Sequence, residues 1–196
     1  PAYRNVQNSA AIALPDGKPL SVVSRKRGYT EAERVTGPDL MGELFARENG
    51  LKHFFYGDKE ETLQILQQKL KEKYPDIQIA GMISPPFRSL SQEEEKAYIQ
   101  QINDSGADIV WIGLGAPKQE NWMYEHQGML HGVMIGVGAG FSYHAGLIKR
   151  APEWMQKMSL EWFYRLMQDP VRLFKRYFTT NLKFMLLEAK DKGEVL

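Results

Sequence analysis

The chain reads as an α/β protein, with a mostly parallel sheet covered by helices on both faces and a helical appendage at the C-terminus. Two patterns predict the sheet. Short apolar runs alternate with helix-like segments of about 10–15 residues, the signature of strand–helix–strand units. Glycine-bearing turns close several of those runs, as in VWIGLGAPKQENW at residues 110–122. A third observation predicts the appendage. After about Pro152 the strand-like runs cease, and aromatic, aliphatic and basic residues fill the remainder. Residues 1–151 are therefore read as the α/β domain and residues 152–196 as the appendage. At 196 residues the chain is long enough for one sizeable core.

Residues 10–14 read as a short strand ending in the turn signal Pro15-Asp16-Gly17. A helix over residues 20–27 stops at Gly28, and a second over residues 38–48 starts with Pro38 in its first turn and is followed by Gly50. Residues 53–56 form a buried strand closed by Gly57-Asp58. Residues 59–73 follow as an amphipathic helix, with Leu63, Leu66 and Leu70 on one face. The next strand is residues 77–83, before Pro85-Pro86. Ser91 opens a helix, and Glu94 stands at capping-box spacing from it. A strand at 108–112, a helix at 117–127 stopping at Gly128, and a strand at 133–137 complete the alternation. Residues 138–146 read as a glycine-rich loop, and the chain is helical from Trp154 with a break near Asp169-Pro170. The arrangement is Rossmann-like, and ligands in such sheets bind at the carboxyl ends of the strands.

Composition excludes several classes. With no cysteine, disulfides and thiolate metal sites are ruled out, which suits a reducing compartment. No apolar stretch approaches the roughly 18 residues of a membrane span, and no secretory signal is visible. The chain begins at Pro1 without methionine, so a native start upstream is expected. The net charge of +1 hides an asymmetry. Residues 149–183 hold eight basic and three acidic residues, a net +5, which leaves −4 for the remainder. That concentration calls for an anionic partner: acidic lipid, a phosphorylated substrate or nucleic acid.

The 113–120 turn is the strongest candidate for phosphate binding. Gly113 and Gly115 allow close backbone approach, and Pro117 opens a helix whose first N–H groups face an anion. Lys118, Gln119 and Glu120 follow directly. Asp16, at the carboxyl end of the first expected strand, is either a turn aspartate or a general base. Arg34 is a phosphate anchor or a partner of Asp16 or Asp39, while Thr36 and Asp39 double as helix caps. GVGAG at residues 136–140 only partly imitates a dinucleotide fingerprint, because Phe141 breaks it and no ribose-binding acid follows at the right distance. His126, His131 and His144 lack zinc-site spacing. On one helix over residues 171–190, Arg172, Lys175, Arg176, Lys183 and Lys190 share an arc of about 100°, beside Val171, Phe174, Phe178, Leu182 and Met185. That helix either packs on the domain or lies in a lipid interface. Trp162, Phe163 and Tyr164 in a row favour the interface, and the bulky aliphatics disfavour nucleic acid.

Together, Pro15-Asp16-Gly17, RVTGPDL at 34–40, GLGAPKQENW at 113–122, GVGAGFSYHAG at 136–146, Arg150-Ala151-Pro152, and the Glu161-Trp162, Arg165-Leu166, Pro170 and Arg172 positions recur in a known order. They resemble the WecG/TagA/CpsF glycosyltransferases over nearly the whole chain. The resemblance implies an inverting transfer of a hexosamine, typically N-acetylmannosamine, from a UDP-sugar to undecaprenyl-diphosphate-linked N-acetylglucosamine. It implies work at the cytoplasmic membrane face in teichoic acid, common antigen or capsule assembly. Asp16 then matches the general base, and Gln119 lines the active site. Arg34, Thr36, Gly37 and Gly57 fall in the substrate-binding set. Gly113, Gly115, Pro117, Lys118 and Glu120 join them, with Gly138 and Ser142. Arg165 and Arg172, with Lys175 or Arg176, match residues linked to membrane docking and the diphosphate. No metal or other cofactor is expected, and a homo-oligomer is left open.

This chain departs from the family pattern in three ways. Members usually carry some tens of residues before the Pro-Asp-Gly strand. Many have Asp where this chain has Ser142, which bears on donor choice. Lys175 stands where arginine is common. A different donor sugar, or a non-catalytic protein binding UDP-sugar or anionic lipid, is the alternative reading. A nucleotide-dependent oxidoreductase is a third.

Overall fold

The computed structural model describes residues 3–47, 50–158 and 160–190. In chain order these form α1 (Tyr3–Asn8), α2 (Lys18–Lys26), α3 (Gly37–Phe45), β1 (Lys52–Gly57), α4 (Glu60–Lys73), β2 (Gln78–Ile83), α5 (Gln92–Asp104) and β3 (Ile109–Gly113). There follow α6 (Lys118–Glu125), β4 (Val133–Gly136), α7 (Gly140–His144), α8 (Glu153–Lys157), α9 (Glu161–Gln168) and α10 (Pro170–Lys190). The four strands make one parallel sheet in the order β2-β1-β3-β4. Parallel pairing needs a crossover between partners, and α4, α5 and α6 supply those crossovers.

Alternate side chains of the two central strands point to opposite faces. On one face Phe55, Ile109 and Trp111 pack with Leu63, Leu66 and Leu70 of α4, Met41 and Phe45 of α3, and Phe141 of α7. On the other, Phe54, Tyr56, Val110 and Ile112 meet Ile102 of α5 and Trp122 of α6. Each such side chain, when fully buried, contributes about 1.5–3 kcal/mol. That double cover explains why β1 and β3 read as near-continuous apolar runs. The Ser91–Glu94 capping box forms as expected, with both reciprocal hydrogen bonds in place.

Three local expectations need correction. Residues 10–14 are irregular and exposed, with Ile12 76% accessible, because no described strand lies beside them to supply a ladder. The segment before them forms α1 instead. The glycine-rich stretch after β4 contains α7, because Phe141 and Ala145, one helical turn apart, both bury. The helix expected over residues 38–48 ends at Phe45, and Glu48 lies outside the described residues.

The chain divides into two compact units, one of Pro1–Gly17 with Arg34–Ile148 and one of Lys18–Glu33 with Lys149–Leu196. The first holds the sheet. The second contains α2, α8, α9 and α10. Within it Arg27 pairs with Glu188 at 3.2 Å and Arg150 with Glu161 at 3.6 Å. The expected helix break falls at Asp169, which ends α9 before Pro170 begins α10. Leu173 is buried, whereas Val171, Phe174, Phe178, Leu182 and Met185 are all exposed along α10.

Candidate active site

β1 leads through α4 to β2 on one side, and β3 leads through α6 to β4 on the other. The connections therefore part between β1 and β3, and the crevice beyond their carboxyl ends is where an open α/β sheet takes its ligand. The floor of that crevice is backbone. Gly57 faces Gly113 in register, and a β-carbon on Gly57 would lie 2.6 Å from the Gly113 carbonyl carbon. One on Gly113 would lie 2.7 Å from the Phe141 ring. These two glycines answer to close approach, as well as to the left-handed φ of +131° at Gly57.

The β3–α6 turn forms one wall. Gly115 has a φ of +77°, the Ala116–Pro117 peptide is cis, and Pro117 stands at the cap of α6. Pro117 and Lys118 are exposed, while Gln119 is buried. The Gln119 Oε1 accepts from the Gly138 N–H at 2.9 Å, and its Nε2 donates to Glu120 Oε1 at 3.0 Å. Gln119 therefore ties the head of α6 to the loop after β4. The other Glu120 oxygen, Oε2, is buried with no hydrogen-bond partner among the described residues.

That loop also meets the start of α3. A β-carbon on Gly37, at the start of α3, would lie 2.8 Å from the Val137 carbonyl oxygen, so α3 can touch the loop only through glycine. Thr36 is the N-cap of α3: its Oγ1 accepts from the Asp39 N–H and donates to the Asp39 carboxylate at 2.6 Å. The strand of chain entering this cap holds the Asp16 turn. Arg34 Nε donates to the Asp16 carbonyl at 2.8 Å, and the Val35 N–H donates to the Pro15 carbonyl at 3.1 Å. Asp16 itself is exposed.

Ser142, in α7, donates its hydroxyl to the carboxylate of Asp58 at 3.0 Å. Asp58 was legible only as part of a closing turn. Its signal is the pairing of Gly with Asp after a buried strand, two residue types that tolerate positive φ. Two of the histidines make packing contacts: His144 Nε2 lies 2.9 Å from the Pro38 carbonyl, and His126 stacks on Trp122 with its Nε2 3.2 Å from Glu95 Oε1. His53 accepts from Trp111 Nε1 at 3.1 Å. Burial pushes the His53 imidazole below its ordinary value, and the charge of Asp108 opposes that shift.

The model of the WecG/TagA/CpsF glycosyl transferase family matches residues 1–194. The chain belongs to that family. Curated relatives agree across 97% of the chain, and each is an N-acetylglucosaminyldiphosphoundecaprenol N-acetyl-beta-D-mannosaminyltransferase. Identity is 33% to the Bacillus subtilis (strain 168) protein, of which 73% is covered. It is 30% to the Bacillus spizizenii protein, 75% covered, and 29% to that of Staphylococcus aureus (strain MW2), 74% covered. Of the segments that carry the resemblance to WecG/TagA/CpsF enzymes, four meet in the sheet-bearing unit: the Asp16 turn, residues 34–40, residues 113–122 and residues 136–146. Arg165, on α9, belongs to the second unit and is half-buried. Arg172, Lys175 and Arg176 fall on α10, and their side chains lie outside what the structure describes.

Proposed function

We propose that this glycosyltransferase moves N-acetylmannosamine from a UDP-linked donor to N-acetylglucosamine on a polyprenyl diphosphate, with inversion, and that Asp16 is the base. The observation that supports the assignment of Asp16 is the chain of contacts linking its turn to the nucleotide-side loops. Arg34 and Val35 hold the turn, Gly37 abuts Val137, and Gly138 is bound by Gln119. In the reaction the Asp16 carboxylate takes the proton of an acceptor hydroxyl as its oxygen attacks the anomeric carbon. The bond to the donor phosphate breaks on the opposite side, and its electron pair leaves with UDP. The N–H groups of the β3–α6 turn, with an arginine, offset the charge that develops there. We read this chemistry as independent of a metal, so chelation should leave the rate unchanged.

The acceptor's lipid supports a peripheral attachment to the inner membrane face. No described helix is long and apolar enough to cross a bilayer, and the exposed apolar line on α10 accompanies the basic residues of the same helix. The deciding assay supplies UDP-N-acetylmannosamine and a short lipid-diphosphate N-acetylglucosamine analogue, and follows UDP release. Asp16→Asn should lower the rate about 10²- to 10⁴-fold. No release by the unaltered protein would defeat the donor assignment. An unimpaired Asp16→Asn variant would defeat the base.

A further inference from the structure

We propose that the Asp58 carboxylate is a donor-binding group that accepts hydrogen bonds from neighbouring sugar hydroxyls, either of the nucleotide's ribose or of the transferred hexosamine. The inference rests on the UDP-sugar reading above. It starts from a backbone outlier. Asp58 has a φ of +56°, and among the described residues it is the non-glycine residue with positive φ. Aspartate is one of the few side chains that visit this region, at a cost glycine would not bear. Non-glycine residues held there cluster at ligand-binding and active sites.

The position is the mouth of the crevice. Asp58 directly follows β1, at the point where the connections of β1 and β3 part. Its N–H donates to the Gly113 carbonyl at 3.2 Å, and its own carbonyl accepts from the Ser84 hydroxyl at 2.8 Å. The carboxylate is clamped as well. Oδ1 accepts from the Lys59 N–H at 2.8 Å and Oδ2 from the Ser142 hydroxyl at 3.0 Å. The first of these is local and would serve a turn alone. The second comes from α7, 84 residues along the chain, and serves to aim the group.

Each oxygen keeps acceptor capacity beyond these contacts, and the residue is only half-buried. A carboxylate so held presents two acceptors in fixed orientation and no donor. It repels a diphosphate and selects hydroxyl groups, most favourably two on adjacent carbons. In a UDP-sugar the ribose and the hexosamine carry such hydroxyls on either side of the diphosphate. The diphosphate itself is then left to the N–H groups of the 113–119 turn.

The test uses the whole chain with UDP, 2′-deoxy-UDP and UDP-N-acetylmannosamine as probes in calorimetric titrations, beside thermal melting. Asp58→Gly removes the carboxylate and relieves the backbone, so it should melt no lower than the unaltered protein while binding the donor about 10- to 100-fold more weakly, the loss of hydrogen bonds to a charged group. Asp58→Asn, which keeps an acceptor for the Lys59 N–H, should weaken binding in the same direction. If ribose is the ligand, both variants lose affinity for UDP and no longer distinguish it from 2′-deoxy-UDP. If the hexosamine is the ligand, UDP binds as before and only UDP-N-acetylmannosamine is weakened. Unchanged affinity of both variants for all three probes would overturn the proposal. Failure of the unaltered chain to bind any probe would overturn the donor assignment, and this proposal with it.

Discussion

Alanine at Gly113 is the sharpest perturbation of the crevice floor. The added methyl would lie 2.7, 2.8 and 3.1 Å from three atoms of the Phe141 ring. Carbon atoms pack best at about 3.5–4.0 Å, so the ring must retreat by about 0.8 Å. It has nowhere to go: Phe141 is fully buried, and the Phe55 ring stands against it at a centroid distance of 5.5 Å. Overpacking of this sort costs about 1–3 kcal/mol. For a chain of this size that lowers Tm by about 2–12 °C, at about 2–4 °C per kcal/mol. The displaced ring carries α7 with it, so the donor KM should rise as well. The decisive measurement is a double-mutant cycle with Phe141→Leu, read by thermal or urea denaturation. Leucine alone destabilises by leaving a void, yet in the double variant it makes room for the methyl. The two losses should offset by about 1 kcal/mol or more. Additivity of the two losses within about 0.5 kcal/mol would refute the contact as the cause.

Gln119→Ala leaves the Gly138 N–H without its partner, which should cost about 1–3 kcal/mol of stability and lower kcat/KM by freeing the loop after β4 from the head of α6. His53 has its folded value lowered by burial, so its contribution is intact above the unfolded value of about 6.5 and is lost as pH falls from there toward the folded value. Melting curves from pH 7.5 to 5 should show an acid loss that His53→Phe reduces, and an equal loss in both proteins would remove His53 as its source. Reversing Arg165 and Arg172 to glutamate should abolish flotation with anionic liposomes, at about 1 kcal/mol per neutralised basic charge near the surface and more for a reversal. Undiminished flotation would take these two residues out of the membrane contact.

The four strands and the helices between them were legible because their burial is dictated by period. Phe54 and Tyr56 must face one way and Phe55 the other, whatever surrounds them. The Ser91–Glu94 box and the break at Asp169 were legible because they are local chemistry. Residues 10–14 misled because a strand is defined by its neighbour, and an apolar run does not say whether one exists. Much of the site lay in the same blind spot. The sequence offers Gly37 and Gly113 as room for a ligand, and only the structure shows that a β-carbon there would also meet Val137 and Phe141. The hydrogen bond between Asp58 and Ser142 depends on two segments meeting, which no window of sequence contains.

The wholly parallel sheet has a kinetic consequence. Its partners are remote: Lys52 pairs with Gln78, Ile109 with Val133, and His53 with Ile109, separations of 26, 24 and 56 residues. No hairpin can nucleate it. The most distant pairing, β1 with β3, carries about 0.6 kcal/mol more loop-closure entropy than either of the others, and topologies of this kind fold slowly. That pairing is also the one that brings Gly57 to Gly113 and so creates the crevice. The carboxyl end of the sheet is thus completed by its costliest closure, and a refolding chain gains this crevice only when its longest-range strand pairing is made.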